Sequence, residues 1–250
     1  MNVLVTFAVK SEFAIWQRRH KFQRLPGQWP CFEAKFGGVR VRAALTGMGR
    51  SHALATARRV LPERPDICIS SGLAGALRPG LRPGQIVAAR LVSEAGEPVA
   101  VASHSELLES AVECGARQVE RFATASKVIS SAEHKRLLGL EAEAVEMESY
   151  IILAEAARFG VPAVAIRSIS DTVDFDLPYD FEEITDERGQ VRISGILPQI
   201  LRHPLQLPAL LTFARDCRLA AARLADFLDT YMGMLDARLL PIESSLVEAR

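Results

Sequence analysis

Apolar positions in this chain recur with two periods, and the switches between them mark out its elements. NVLVTFAV at residues 2–9 is a β-branched run of strand length. GVRVRAAL at 38–45 alternates valine with arginine, which predicts a strand with one wet face. TGMG at 46–49 ends it. RSHALATARRVL at 50–61 then puts Ala53, Leu54, Ala57, Val60 and Leu61 on one helical stripe. Pro62 and Pro65 stop that helix, and DICISS at 66–71 reads as a buried strand. GLAGALRPGLRPG at 72–84 reads as a turn-rich loop, and QIVAARLV at 85–92 as another strand. A helix over 105–114, a short strand near 121–125 and a helix near 131–138 follow. AEAVEM (142–147) and PAVAIRSI (162–169) are strands flanking the helix SYIILAEAARF. From 207 to 232, Leu210, Phe213, Cys217, Ala220, Leu224, Phe227 and Tyr231 recur at three-to-four spacing, the mark of a long amphipathic helix.

Strands alternating with helices predict an α/β fold, a single-domain three-layer αβα sandwich around a central mixed sheet. No repeat or linker divides residues 1–250, and the polar stretch 177–195 reads as a surface excursion. Hydrophobic residues at 49% supply ample core. Thirty basic and thirty acidic residues give a formal net charge of zero, which removes the electrostatic argument for a nucleic-acid partner. The four cysteines are scattered, with no CxxC pair and no metal spacing. The first residues lack the pattern of a signal peptide, and no stretch has the length of a membrane span. A cytoplasmic protein is the expectation.

Candidate chemistry lies at strand ends, where ligands gather in open α/β sheets. Glu12 follows the first strand, Glu148 closes AEAVEM, and Asp171 follows AIRSIS. Arg167 sits inside that last strand, where a charge needs a partner or a ligand. In an extended segment Glu146 and Glu148 point to one side with Met147 opposite; if the chain has already turned into helix, that geometry fails. An acid in a helix's first turn also has a structural use, because it complements the dipole and the free N–H groups. On the residues alone, both readings stand for Glu146 and Glu148.

VEMES at 145–149, followed about twenty residues later by RSISD, resembles the purine/uridine nucleoside phosphorylase superfamily. Within it, the chain is similar to the branch of methylthioadenosine/S-adenosylhomocysteine nucleosidases. VTFAVKSE, TGMG and PDICISSGLAGALRPGLRPGQIV match further blocks of that branch, so the likeness runs from residue 1 to about 175. FDLP and ILRHPLQLPALLTFARD in the tail resemble hopanoid-associated phosphorylase-like proteins, the adenosylhopane nucleosidase group.

The resemblance implies hydrolysis of the N-glycosidic bond of a 5′-modified adenine nucleoside, with no metal or organic cofactor and in a homodimer. It assigns Asp171 as the acid that protonates the purine, oriented by Ser170, and Glu148 as the clamp on the ribose hydroxyls. Met147 packs on the ribose face, Glu146 supports from behind, and Gly72 and Gly75 allow close approach under the sugar. Ile129 aligns with a base-contacting position. Glu12 matches the base that activates water, with Arg167 holding the water or the carboxylates. The loop AVKSE replaces the phosphate-binding loop of the phosphorylases, and its acid would repel a phosphate dianion. Leu73 departs from the pattern, standing where the nucleosidases carry a serine.

Lys10 and the arginines of VRVRAAL keep a phosphate-dependent phosphorylase as an alternative, beside a futalosine-type hydrolase. A catalytically decayed nucleoside-binding protein is a third reading, opposed by the joint presence of Glu12, Glu148, Arg167 and Asp171. Phe175 and Phe181 could cover the 5′ side or anchor a loop, and the Leu/Pro-rich stretch 195–211 suits a dimer contact. His52, His104 and His203 have no partner pattern and read as solvated surface.

Overall fold

The computed structural model describes residues 1–27, 29–178 and 204–239. β1 (Asn2–Phe7) leads into α1 (Lys10–His20), β2 (Gln23–Arg24), β3 (Cys31–Phe36) and β4 (Val39–Leu45). α2 (Arg50–Val60), β5 (Ile67–Ser70), β6 (Leu73–Ala76), β7 (Ile86–Glu94) and β8 (Ala100–Ala102) follow. Then come α3 (Ser105–Glu113), β9 (Arg117–Thr124), α4 (Ala132–Leu138), β10 (Ala144–Glu146), α5 (Ser149–Arg158) and β11 (Ala163–Asp171). α6 (Leu207–Leu239) is the last helix described.

All the strands join one mixed sheet in the order β2-β3-β4-β1-β5-β11-β6-β10-β9-β7-β8. β1 is parallel to β4 and β5, and β11 is parallel to β5 and β6. β10 is antiparallel to β6, and β7 pairs antiparallel with β11. The ladders β11-β6-β10-β9-β7-β11 therefore close a ring of strands at one end of the sheet.

The two-residue strand period sorts side chains between two cores. Val3, Val5 and Phe7 of β1 join Phe13 and Trp16 of α1, Leu108 of α3, and Leu224 and Tyr231 of α6. Leu4 turns the other way, toward Ala53 and Val60 of α2 and Ile152 and Leu153 of α5. Helices thus cover both faces of the sheet, the three-layer arrangement expected from the alternation. The predicted amphipathic helix is α6, which runs past 232 to Leu239. Its buried stripe includes Ala220, Leu224, Phe227, Leu228 and Tyr231, whose hydroxyl donates to Leu107 O at 2.8 Å.

Two local expectations are corrected. GLAGALRPGLRPG is not loop throughout: Leu73–Ala76 form β6, hydrogen-bonded to β10 on one side and β11 on the other. Tertiary pairing on both edges overrides the turn-prone composition. AVKSE does not remain a loop either, because Lys10 opens α1, a mostly polar helix with Glu12, Phe13 and Trp16 on its buried side. β3 and β8 were not legible, being largely half-buried strands with weak alternation.

Candidate active site

Where β1, β10 and β11 end and β6 begins, the chain leaves a cavity of about 620 Å³. Glu12, Leu73, Gly75, Ile129, Glu146, Met147, Glu148, Ser170 and Asp171 line it, with an outer wall that includes Met48, Leu177, Phe213 and Cys217. Residues far apart in sequence converge because β1 and β11, both parallel to β5, end at one edge. β10 runs antiparallel to β6 and brings its last residue beside the start of that strand.

Glu146 and Glu148 do not share an extended segment. Glu146 is the last residue of β10, and Glu148 already stands at the N-terminal boundary of α5, with φ −133° and ψ −30°. Glu146 Oε2 accepts from the amides of Glu148 at 2.9 Å and Ser149 at 2.7 Å, and from Arg167 Nη2 at 2.6 Å. Its other oxygen accepts from the Thr124 hydroxyl. With both oxygens engaged, this carboxylate fastens the start of α5 to β11. Arg167 does not line the cavity. It is 1% exposed and lies behind Glu146, reaching Ser70 Oγ at 3.3 Å and approaching Glu148 Oε2 at 3.9 Å.

Among the described residues Glu148 has one hydrogen-bond donor, the Gly49 amide, 2.7 Å from Oε1. Burial, then the negative charge of Glu146, push its carboxyl up to about 8 against the opposing pull of Arg167. Met147 sits beside it, its methyl turned toward Gly49. Glu12 occupies the first turn of α1, where Oε2 accepts from Ala8 N at 2.9 Å and Val9 N at 3.1 Å. Oε1 accepts from Leu73 N at 2.9 Å, so Leu73 contributes a backbone donor. Burial raises the Glu12 carboxyl above its ordinary range, although these amides and Arg167 act the other way. Gly72 is the floor under it: at φ +147°, an added Cβ would lie 2.8 Å from Glu12 Oε1.

Asp171 ends β11, 7% exposed, with its carboxyl against Gly75, where an added Cβ would lie 3.2 Å from Oδ2. Ser170 Oγ is 2.6 Å from Oδ1 and 3.1 Å from Ala74 O. Lys135 of α4, which sequence reading missed, places Nζ 2.5 Å from Oδ2. Its only sequence signal was a lysine in a short helical stretch, indistinguishable there from a solvated one.

Phe213 and Cys217, on the predicted amphipathic stripe, both face the cavity from the outer half of α6. Burial, with Asp171 and Glu12 nearby, holds the Cys217 thiol up at about 12, so it serves as a neutral wall. Phe175 does not line the cavity; it stacks on Phe213 with centroids 6.1 Å apart. Phe181, His203 and most of 195–211 lie outside the described residues. His52 is half-buried rather than solvated, its Nδ1 2.9 Å from Met48 O, and His104 is exposed. Lys10 lies at the cavity rim, whereas Arg40 and Arg42 line a separate hollow, Arg42 paired with Glu63. No cluster of three metal-ligating side chains occurs among the described residues, and none of their helices is long and apolar enough to cross a membrane.

A mixed α/β sheet with an acid-lined pocket at its strand ends defines a class, and sequence comparison gives the family. A sequence profile of the phosphorylase superfamily matches residues 5–95 and 104–202, and the chain belongs to that superfamily. A 5′-methylthioadenosine/S-adenosylhomocysteine nucleosidase of Actinobacillus succinogenes is 27% identical over 196 residues, 68% of this chain and 85% of that protein. The fold is shared with the corresponding nucleosidase of Neisseria meningitidis, solved with methylthio-immucillin-A: TM-score 0.71, 21% identity, covering 93% of this chain and 99% of that one. Futalosine hydrolase of Helicobacter pylori aligns with a TM-score of 0.73 at 18% identity, over 94% of this chain and 98% of that one.

Proposed function

We propose that this protein is an N-glycosyl hydrolase that releases the free base from a 5′-modified purine nucleoside. The observation that carries the reading is the convergence of Glu12, Glu148 and Asp171 on one cavity. Its volume falls within the roughly 300–1,000 Å³ usual for small-molecule sites. Membership of the phosphorylase superfamily and the likeness to a nucleosidase support it.

Cleavage of the ribosyl–purine bond builds positive charge on the sugar while electrons move onto the base, so the reaction calls for an acid at the base and anions near the sugar. Asp171, oriented by Ser170, is the acid. Glu148 takes the ribose hydroxyls, and the growing cation favours its ionised form. Glu12 accepts the proton of the attacking water. Met147 packs against the sugar, Ile129 against the base, and Gly72 and Gly75 keep the floor open. Arg167 acts from behind through Glu146 and Glu148. Acids around the sugar subsite, and arginines of β4 turned to another hollow, favour water over phosphate. The apolar outer wall suits an apolar 5′ substituent.

Base release from adenosine, 5′-methylthioadenosine and an adenosine bearing a long 5′ alkyl chain, with and without phosphate, tests the proposal. Release without phosphate, strongest for a 5′-modified substrate, is expected; strict phosphate dependence makes the protein a phosphorylase. Binding without release from any of them makes it a nucleoside-binding protein. The same reading has the protein act as a cytoplasmic homodimer without a nucleic-acid partner. Exposed Leu205, Leu211 and Leu219 around α6 support the dimer, and sedimentation measures it.

A further inference from the structure

Lys135 is 1% exposed, and its ammonium has three acceptors for three hydrogens: Asp171 Oδ2 at 2.5 Å, Phe175 O at 2.7 Å and Thr172 O at 3.3 Å. Burying a cation costs several kcal/mol unless its charge is used. Fastening the segment after β11 to α4 does not require that charge. The Ala132 amide donates to Asp176, Leu177 N donates to Ser130 O, and Arg136 pairs with Asp174 across the same junction. Of the described groups that span this junction, Lys135 is the one that reaches the acid.

The other side of Asp171 is built for a change of proton. The Ser170 hydroxyl has one hydrogen and two acceptors in range, Ala74 O and Asp171 Oδ1. Turned to Ala74, it leaves Oδ1 bridged by the proton of Asp171 itself. Turned to Oδ1, it donates to a carboxylate. The pair accommodates either ionisation state without moving a heavy atom.

We propose that Lys135 is a positioning residue for the acid: it fixes Asp171 through Oδ2 and stabilises the carboxylate left when the proton passes to the departing base. The inference rests on the nucleosidase reading and goes beyond it. In the step, the Asp171 O–H bond breaks and an N–H bond forms at N7 of the purine. The C1′–N9 bond breaks with its electron pair entering the base, and water oxygen bonds to C1′ while its proton goes to Glu12. Lys135 keeps all three protons. Before transfer it faces a neutral carboxyl, and afterwards an anion, so its attraction grows toward the transition state and acts on kcat rather than KM.

The test compares two leaving groups, the adenine of 5′-methylthioadenosine and the 4-nitrophenolate of 4-nitrophenyl 5-methylthio-β-D-riboside, which departs without protonation. K135Q is expected to lose about 10²-fold in kcat on the nucleoside, with KM within about threefold and a loss under about fivefold on the nitrophenyl riboside. K135M, similar in length and uncharged, is measured alongside so that the comparison survives if one variant does not fold. Equal losses on both substrates make Lys135 a structural strut and overturn the inference, as does unchanged turnover on the nucleoside. A parent protein inert on both substrates overturns the nucleosidase reading instead.

Discussion

Four buried carboxyl groups line this pocket, and the partners of its three glutamates separate those by role. Among the described residues Glu146 is saturated with donors, Glu12 accepts three backbone amides, and Glu148 accepts one amide while lining the cavity. One buried guanidinium cannot neutralise all three, so the cluster holds a proton near neutral pH, where burial and the charge of Glu146 push the Glu148 carboxyl up to about 8. The folded chain keeps that proton from about pH 4.5 to about 8, while the unfolded chain has released it. Stability therefore falls as pH rises through this window, by on the order of a few kcal/mol at about 1.4 kcal/mol per pKa unit. Thermal midpoints from pH 5 to 8 should drop for the parent and stay flatter for E148Q. At Asp171 the prediction concerns turnover. D171N should cut base release by about 10²–10⁴-fold while nucleoside binding by calorimetry persists; near-parental turnover would move the acid elsewhere.

At the scale of elements, α6 does two jobs along one length. Its inner half supplies Leu224, Leu228, Tyr231 and Met232 to the core, while its outer half turns Phe213 and Cys217 to the cavity. Truncating Phe213 removes apolar wall and its stack on Phe175 without touching the acids. F213A should raise KM for an apolar 5′-substituted nucleoside about tenfold, a loss of roughly 1.4 kcal/mol, and leave kcat within about twofold. A fall in kcat with KM unchanged would put Phe213 in the chemistry instead. α5 contributes differently. Its first free amides are satisfied by Glu146, which sets Glu148 at the pocket edge.

The whole molecule depends on α6 for closure. Phe13, Trp16, Leu108 and the β1 valines pack against it, so a chain ending at residue 203 would expose one face of the sheet. Each large apolar side chain lost to water costs about 1.5–3 kcal/mol, and several together exceed the roughly 5–15 kcal/mol that holds a domain folded. Such a chain is expected to lack a cooperative thermal transition by circular dichroism, whereas the full chain shows one. A cooperative transition in the shortened chain would mean the sheet closes without this helix.

Much of this was legible because it is local. The alternation of β4, the stripe of α2, the apolar run of β11 and the long period of α6 each follow from neighbouring residues, so the layered α/β plan and the acids at strand ends could be read directly. RSISD and VEMES also carried the family. What local pattern cannot carry is pairing. β6 has the composition of a turn and is a strand only because β10 and β11 flank it. Lys135 has the look of a surface lysine and is buried only because α4 packs its stem beside the end of β11. Phe213 and Cys217 share the stripe of α6, and whether that stripe meets core or cavity depends on where the sheet stops. Sequence alone determined which residues carry charge, which segments repeat with which period, and so the class of fold. Only the tertiary structure decided which charges meet, because burial and contact are properties of distant segments brought together, and those set the protonation of Glu148 and the partner of Asp171.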